Sequence, residues 1–193
     1  MKQDCHELLF DRVAAPAGAP FEALMMVVDG RHLCALDFAG FEPRMHRLLA
    51  RRYPSYRLLE SRNPAGVTDC LHAYLAGDMR AIDRLPVKTG GTAFQAAAWQ
   101  ALRQIAPGTT ATYGEQAARI GRPAAVRAIG AANGQNPIAV VLPCHRVVGA
   151  NGSLTGYAGG LATKQWLLRH EVVHHRYGSI ATKNLHVPDR RVA

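Results

Sequence analysis

The chain has 193 residues, 48% of them hydrophobic, which suits one or two small domains with a genuine core. Its net charge of +9 and pI near 9.9 point to a polyanionic partner, and arginine exceeds lysine by 19 to 4, which favours bidentate phosphate contacts and stacking on bases. No apolar run approaches a membrane span, the N-terminus lacks the apolar core of a signal peptide, and no Cys-x-x-Cys pair is present to form a zinc ribbon or thioredoxin-type motif.

A reducing cytoplasm is the expected compartment, with Cys5, Cys34, Cys70 and Cys144 as free thiols. Cys5 and His6 would need further metal ligands, and no spacing supplies them. Residues 1–88 read as a small α/β domain. Phe21–Val28 and His32–Phe38 are apolar runs around Asp29-Gly30, a hairpin signal. Pro43–Tyr53 carries Met45, Leu48 and Leu49 between arginines, as a helix with one wet face does. Cys70–Leu75 repeats that pattern until Ala76-Gly77-Asp78 stops it. Cys34 and Cys70 are most simply core thiols.

Thr89-Gly90-Gly91 reads as a linker into a second, mainly helical domain, residues 89–175. Thr92 and Gln95 form a capping box, so a helix should run from Ala93 to about Ile105, with Trp99 in its core face. Thr112 and Glu115 form a second box, opening a short helix to Arg119 or Ile120. Gly121-Arg122-Pro123 makes a turn, with Pro123 suited to the first position of the next helix, Ala124–Ala132. Two short helices joined this way read as helix-turn-helix. The second is unusual: Ala124, Ala125, Ala128, Gly130, Ala131 and Ala132 are small, and only Arg127 projects far. Reading bases in the major groove needs long polar side chains. This helix is instead suited to bring its backbone against a narrow surface with one cation inserted.

Val140-Val141-Leu142 reads as a short buried strand that Pro143 ends. Cys144 then stands on a turn, followed at once by His145 and Arg146. Nearby cations favour the reactive thiolate, although an isolated cysteine is more often a packed core residue. Thr155–Gly160 is a glycine-rich loop suited to lie close to a ligand. Leu161–Glu171 is an amphipathic helix with Leu161, Trp166, Leu167 and Leu168 inward, and residues 176–193 read as a mobile tail.

Asn136-Pro137, the contiguous Pro143-Cys144-His145-Arg146-Val147 and the Gly156-Tyr157-Ala158-Gly159-Gly160 stretch together resemble the active-site signature of the O6-alkylguanine-DNA alkyltransferases. The resemblance is strong from about Gly91 to Glu171 and looser before. It implies an N-terminal ribonuclease H-like domain without nuclease activity and a winged helix-turn-helix DNA-binding domain. It implies a suicide transferase acting on double-stranded DNA, with Cys144 taking the alkyl group from O6 of a flipped guanine. Glu171 would orient His145, and His145 would act through water on Cys144. Tyr113 would assist the leaving base, and Asn136 would fix the turn before the cysteine. Arg127 would replace the extruded base, with Ala125, Ala128, Gly130 and Ala131 against the minor groove. Tyr157, Ala158, Gly159, Gly160 and Val147 would wall the base pocket, and Arg146 would be structural.

The implied chemistry calls for no cofactor, metal or membrane, and for a monomer or a cooperative assembly on DNA. O4-alkylthymine is the second implied substrate. Two positions depart from the family pattern: many relatives have proline at Ala139, and some have serine at Ala158. No four-cysteine N-terminal segment of the bifunctional repair-and-transcription type is present. A lesion sensor of the same fold would lack the reactive cysteine, and a cysteine hydrolase would need partner residues that the sequence does not show.

Overall fold

The structure, a computed structural model, describes residues 5–177. Strands β2 (Ala23–Asp29) and β3 (His32–Phe38) are buried along almost their whole length and pair antiparallel. Gly30 turns the chain between them at φ +59°, a conformation glycine adopts without steric cost. Strand β1 (His6–Ala14) pairs antiparallel with β2, and β4 (Tyr56–Glu60) adds parallel to β1, giving the order β3-β2-β1-β4. Strands β1 and β4 both escape the sequence patterns. In β1 only Leu8 and Val13 are buried, and β4 is a five-residue run with polar residues at both ends.

Period two explains the continuous hydrophobicity of β2. Leu24, Met26 and Val28 face a core shared with helix α2 (Val67–Leu75). Met25 and Val27 face the opposite side, toward Met45 and Leu49 of helix α1 (Glu42–Ala50). A strand covered on both faces needs apolar residues at every position. The first core does not stop at this sheet. Leu36 and Phe38 pack in one cluster with Ile138, Val140, Cys144 and Leu167 from the second half of the chain.

In that second half both capping boxes form. Thr92 Oγ1 accepts from Gln95 N at 3.2 Å while Thr92 N donates to Gln95 Oε1 at 3.0 Å, opening α3 (Ala93–Leu102). The same reciprocal pair between Thr112 and Glu115 opens α4 (Tyr113–Arg119). Helix α3 ends three residues before the expected Ile105, and residues 103–105 continue as turns. Helix α5 (Val126–Gly134) begins later than expected. Pro123 lies in the preceding turn, closed by Ala125 N to Arg122 O at 2.8 Å, so it does not hold the first helical position.

Val140-Val141-Leu142 is buried, as expected, but is not a strand. Ile138 makes one isolated parallel bridge to Leu36 of β3, after which the chain coils. Leu142 N bonds Ile138 O at 3.0 Å, and Val140 sits at φ +68°, an outlier for a β-branched residue. Proline on either side, Pro137 and Pro143, restricts the run to a turn rather than a ladder. Cys144–Arg146 then forms one 3-10 turn, and β6 (Val147–Val148) pairs parallel with β5 (Ala111–Thr112). That two-residue ribbon sets the start of α4 beside the cysteine turn.

Helix α6 (Leu161–Tyr177) runs beyond the expected end at Glu171. Its inward face also differs: Leu161 is 49% exposed, and the buried positions are Thr163, Lys164, Leu167, His170 and Glu171. Residues 176 and 177, expected to begin the tail, are instead the end of this helix, and residues 178–193 lie outside the described residues. No described helix is long and apolar enough to cross a membrane.

Candidate active site

Cys144 lines a cavity of about 320 Å³ with Tyr113 from the start of α4, Gly130 and Gly134 from α5, and Tyr157 and Ala158 from the loop before α6. The cysteine residue is 8% exposed. Asn136 holds it. The amide Oδ1 accepts from Ile138 N at 3.0 Å, and Nδ2 donates to Leu142 O at 2.7 Å and to Cys144 Sγ at 3.2 Å. One side chain thus closes the coiled segment and presents the sulfur. Burial pushes the thiol above its ordinary range, and the Asn136 bond together with the charges of Arg44 and Lys164 pulls the other way.

The cations beside the thiol are therefore not those adjacent in sequence. His145 and Arg146 both turn toward Glu171. His145 Nε2 lies 2.8 Å from Glu171 Oε1, and Arg146 donates from Nε and Nη2 to the two carboxylate oxygens at 2.9 and 2.8 Å. Glu171 also accepts from Tyr74 Oη of α2 at 2.9 Å and from Gly108 N at 3.2 Å. Burial would raise this carboxyl, but His145 and Arg146 hold it well below the usual carboxylate range. The two Arg146 bonds hold the carboxylate independently of His145, so Glu171 stays ionised whichever form His145 takes. Burial lowers the His145 pKa, favouring neutral imidazole. With Nε2–H given to the carboxylate, Nδ1 is left as an acceptor, and it has no partner among the described residues. That is the tautomer a general base needs.

Tyr113 Oη accepts from Thr155 Oγ1 at 2.9 Å, tying α4 to the glycine-rich loop. Tyr157 Oη is buried with no partner among the described residues. Gly159 lies against the sheet: a Cβ there would stand 2.6 Å from the Phe38 ring. Its close approach is to the core, while Gly156, Tyr157 and Ala158 of the same loop line the cavity. Gly160, at φ +85°, leads into α6. Val147 is buried in the core and its carbonyl accepts from Lys164 Nζ at 2.6 Å; it does not line the cavity.

Helix α5 presents Arg127, Ala128 and Ala131 to solvent, with Ala125 and Gly130 half-buried and Ile129, Ala132 and Asn133 inward. Trp99 is a packing residue, 3% exposed, whose indole N–H donates to Ala132 O at 2.9 Å. Gln116 of α4 and Asn133 of α5 exchange two buried amide bonds at 3.1 and 2.7 Å, fixing the two helices against each other. Sequence patterns miss Arg44, Lys164, Gln116 and Asn133. Lys164 had a signal: it shares a face with Leu167 and Glu171 at helical spacing. Arg44 had none, because its partners lie far along the chain. Among the described residues no group of three or more His, Cys, Asp or Glu side chains could hold a metal ion.

Residues 93–173 match the family model described as the 6-O-methylguanine DNA methyltransferase DNA-binding domain. A methylated-DNA–protein-cysteine methyltransferase of Salmonella typhimurium is 48% identical over 167 residues, covering 85% of this chain and 95% of that protein. A Shigella flexneri protein of the same name is 46% identical over the same shares. The crystal structure of Mycobacterium tuberculosis OGT in complex with DNA superimposes with a TM-score of 0.69 at 35% identity, covering 86% of this chain and 94% of that one. Relatives this similar across nearly their full length place the chain in the methylated-DNA–protein-cysteine methyltransferase family, as an enzyme of DNA alkyl-transfer repair.

Proposed function

We propose that Cys144 removes the alkyl group from O6-alkylguanine in double-stranded DNA by a single irreversible displacement. The sulfur attacks the alkyl carbon, the carbon–oxygen bond breaks, and guanine departs with the bonding pair. The thiol proton passes through a bridging water to His145 Nδ1, with Glu171 holding the ring. Tyr113 donates toward the leaving base where charge develops. The thioether that remains has no good leaving group, so each molecule acts once. O4-alkylthymine carries a comparable exocyclic alkoxy group and is the second substrate.

The base must leave the stack to reach a thiol on the wall of a cavity. The slim outer face of α5 supports entry into the minor groove, with Arg127 filling the gap left by the base. In this reading α4 and α5 form a winged helix-turn-helix within residues 89–175. Residues 1–88 form a ribonuclease H-like domain, and the protein acts as a monomer. Tyr157 and Ala158 are cavity walls, while Gly159, Gly160 and Val147 support them from behind.

The observation that carries this reading is the thiol held by Asn136 on the cavity wall, with the next residue, His145, oriented by Glu171. Duplex DNA with one O6-methylguanine tests it. Cys144→Ala should bind the duplex and leave its methyl in place, whereas Arg127→Ala should transfer slowly with an unimpaired free thiol. Demethylation by Cys144→Ala would refute the proposal.

A further inference from the structure

Helix α1 belongs to the N-terminal sheet, yet its Arg44 reaches the cavity that holds Cys144. The guanidinium makes three contacts. Nη1 donates to Asp37 Oδ2 of β3 at 2.5 Å, and Nη2 donates to Gly134 O at 3.1 Å and to Asn136 O at 2.8 Å. Asp37 is 1% exposed and also accepts from Phe38 N at 3.1 Å. Arg44 therefore grips the last turn of the DNA-facing helix and the backbone of the residue whose amide bonds the sulfur. A planar fork suits two diverging carbonyls, while a lysine ammonium is a point charge.

We propose that Arg44, anchored by Asp37, is a positioning residue for alkyl transfer, joining the N-terminal sheet to the reactive thiol in two ways. It fixes Asn136 relative to α5, and it sets a permanent positive charge on the cavity wall that stabilises the Cys144 thiolate. This deepens the transfer mechanism and rests on it. The groups facing the sulfur are few. Asn136 is neutral, the Tyr157 phenol is held protonated by burial, and Lys164 from α6 is the second cation. Lys164 spends its donors on Val147 O and Thr155 O. The His145 ring is turned to Glu171.

The test uses the full chain in three forms: wild type, Arg44→Lys, and the double variant Asp37→Asn with Arg44→Gln, which removes both charges without stranding either. Iodoacetamide labelling of Cys144, located by peptide mass, is followed against pH, alongside single-turnover transfer from O6-methylguanine duplex. The double variant should shift the labelling midpoint upward, by less than the full pH unit that loss of an unpaired cation would give, because the cation that lines the cavity is lost together with the anion behind it. Arg44→Lys should keep the wild-type midpoint but transfer about tenfold more slowly, since it keeps the charge and loses the fork. A folded double variant with the wild-type midpoint would overturn the electrostatic role, and wild-type transfer by Arg44→Lys would overturn the positioning role. Should the double variant not fold, Arg44→Gln alone is labelled against pH, and a wild-type midpoint there would equally overturn the electrostatic role. A wild-type protein that labels normally but takes no methyl from DNA would sink the transfer mechanism instead, and leave the labelling profiles to judge Arg44.

Discussion

The two halves of the molecule are buried by different means. Of the ten buried polar or charged side chains among the described residues, only Asp37 lies before the linker at residue 89, and nine lie between Gln116 and Glu171. The N-terminal half is specified by hydrocarbon on both faces of a sheet. The C-terminal half carries a network of amides, imidazole, guanidinium, ammonium and carboxylate. Two buried thiols make the contrast concrete. Cys34 of β3 donates to Val27 O at 3.2 Å, and burial pushes it up to about 11. Cys144 is buried too and its thiol is likewise raised, but it accepts from Asn136, and Arg44 and Lys164 pull it downward, at the wall of a cavity that Cys34 does not line. Burial alone makes a thiol inert; the polar network supplies what reactivity requires.

Glu171→Ala should break this contrast most severely. It strands the buried Arg146 and removes the acceptor for His145, Tyr74 and Gly108, so it should cost roughly 3–5 kcal/mol in chemical denaturation. Met25→Ala, on the sheet face that packs against α1 and away from the second half, should cost about 2–5 kcal/mol through lost burial and a cavity. The thiol labelling profile of its folded fraction should match wild type, and a shifted profile would show the halves to be less separate than described. Asn136→Ala should cost about 1–3 kcal/mol by orphaning buried backbone groups, and it should slow Cys144 labelling more than it lowers stability.

Acid sharpens the comparison further. Glu171 is depressed below its ordinary 4.5 and His145 below its ordinary 6.5 in the folded protein. In both cases the unfolded chain binds the extra proton first, so stability falls as pH drops, beginning near 6.5 and steepening below 4.5. Unfolding midpoints measured from pH 8 to 4 should show that slope, and Glu171→Gln should flatten its lower part.

Local signals were readable in the sequence wherever the cause is local. The Thr92 and Thr112 capping boxes, the Asp29-Gly30 hairpin and the cysteine motif each depend on residues within a few positions of one another. What was not readable depends on distance along the chain. Val140–Leu142 has strand composition, but prolines on both sides and the Asn136 amide fold it into a turn. Leu161 has core composition, but the helix it starts turns Lys164 inward instead. Arg44 contacts the Asn136 backbone across 92 positions, a separation that no pattern of spacing reveals.

The central claim is that Cys144, among four cysteines, takes a carbon from DNA and keeps it. Intact-mass and peptide analysis after one exposure to excess O6-methylguanine duplex tests this most directly. A gain of one methylene per molecule, confined to the Cys144 peptide and matched by one demethylated guanine, is the predicted result. No gain, a gain on Cys5, Cys34 or Cys70, or repeated turnover by the same molecule would contradict it.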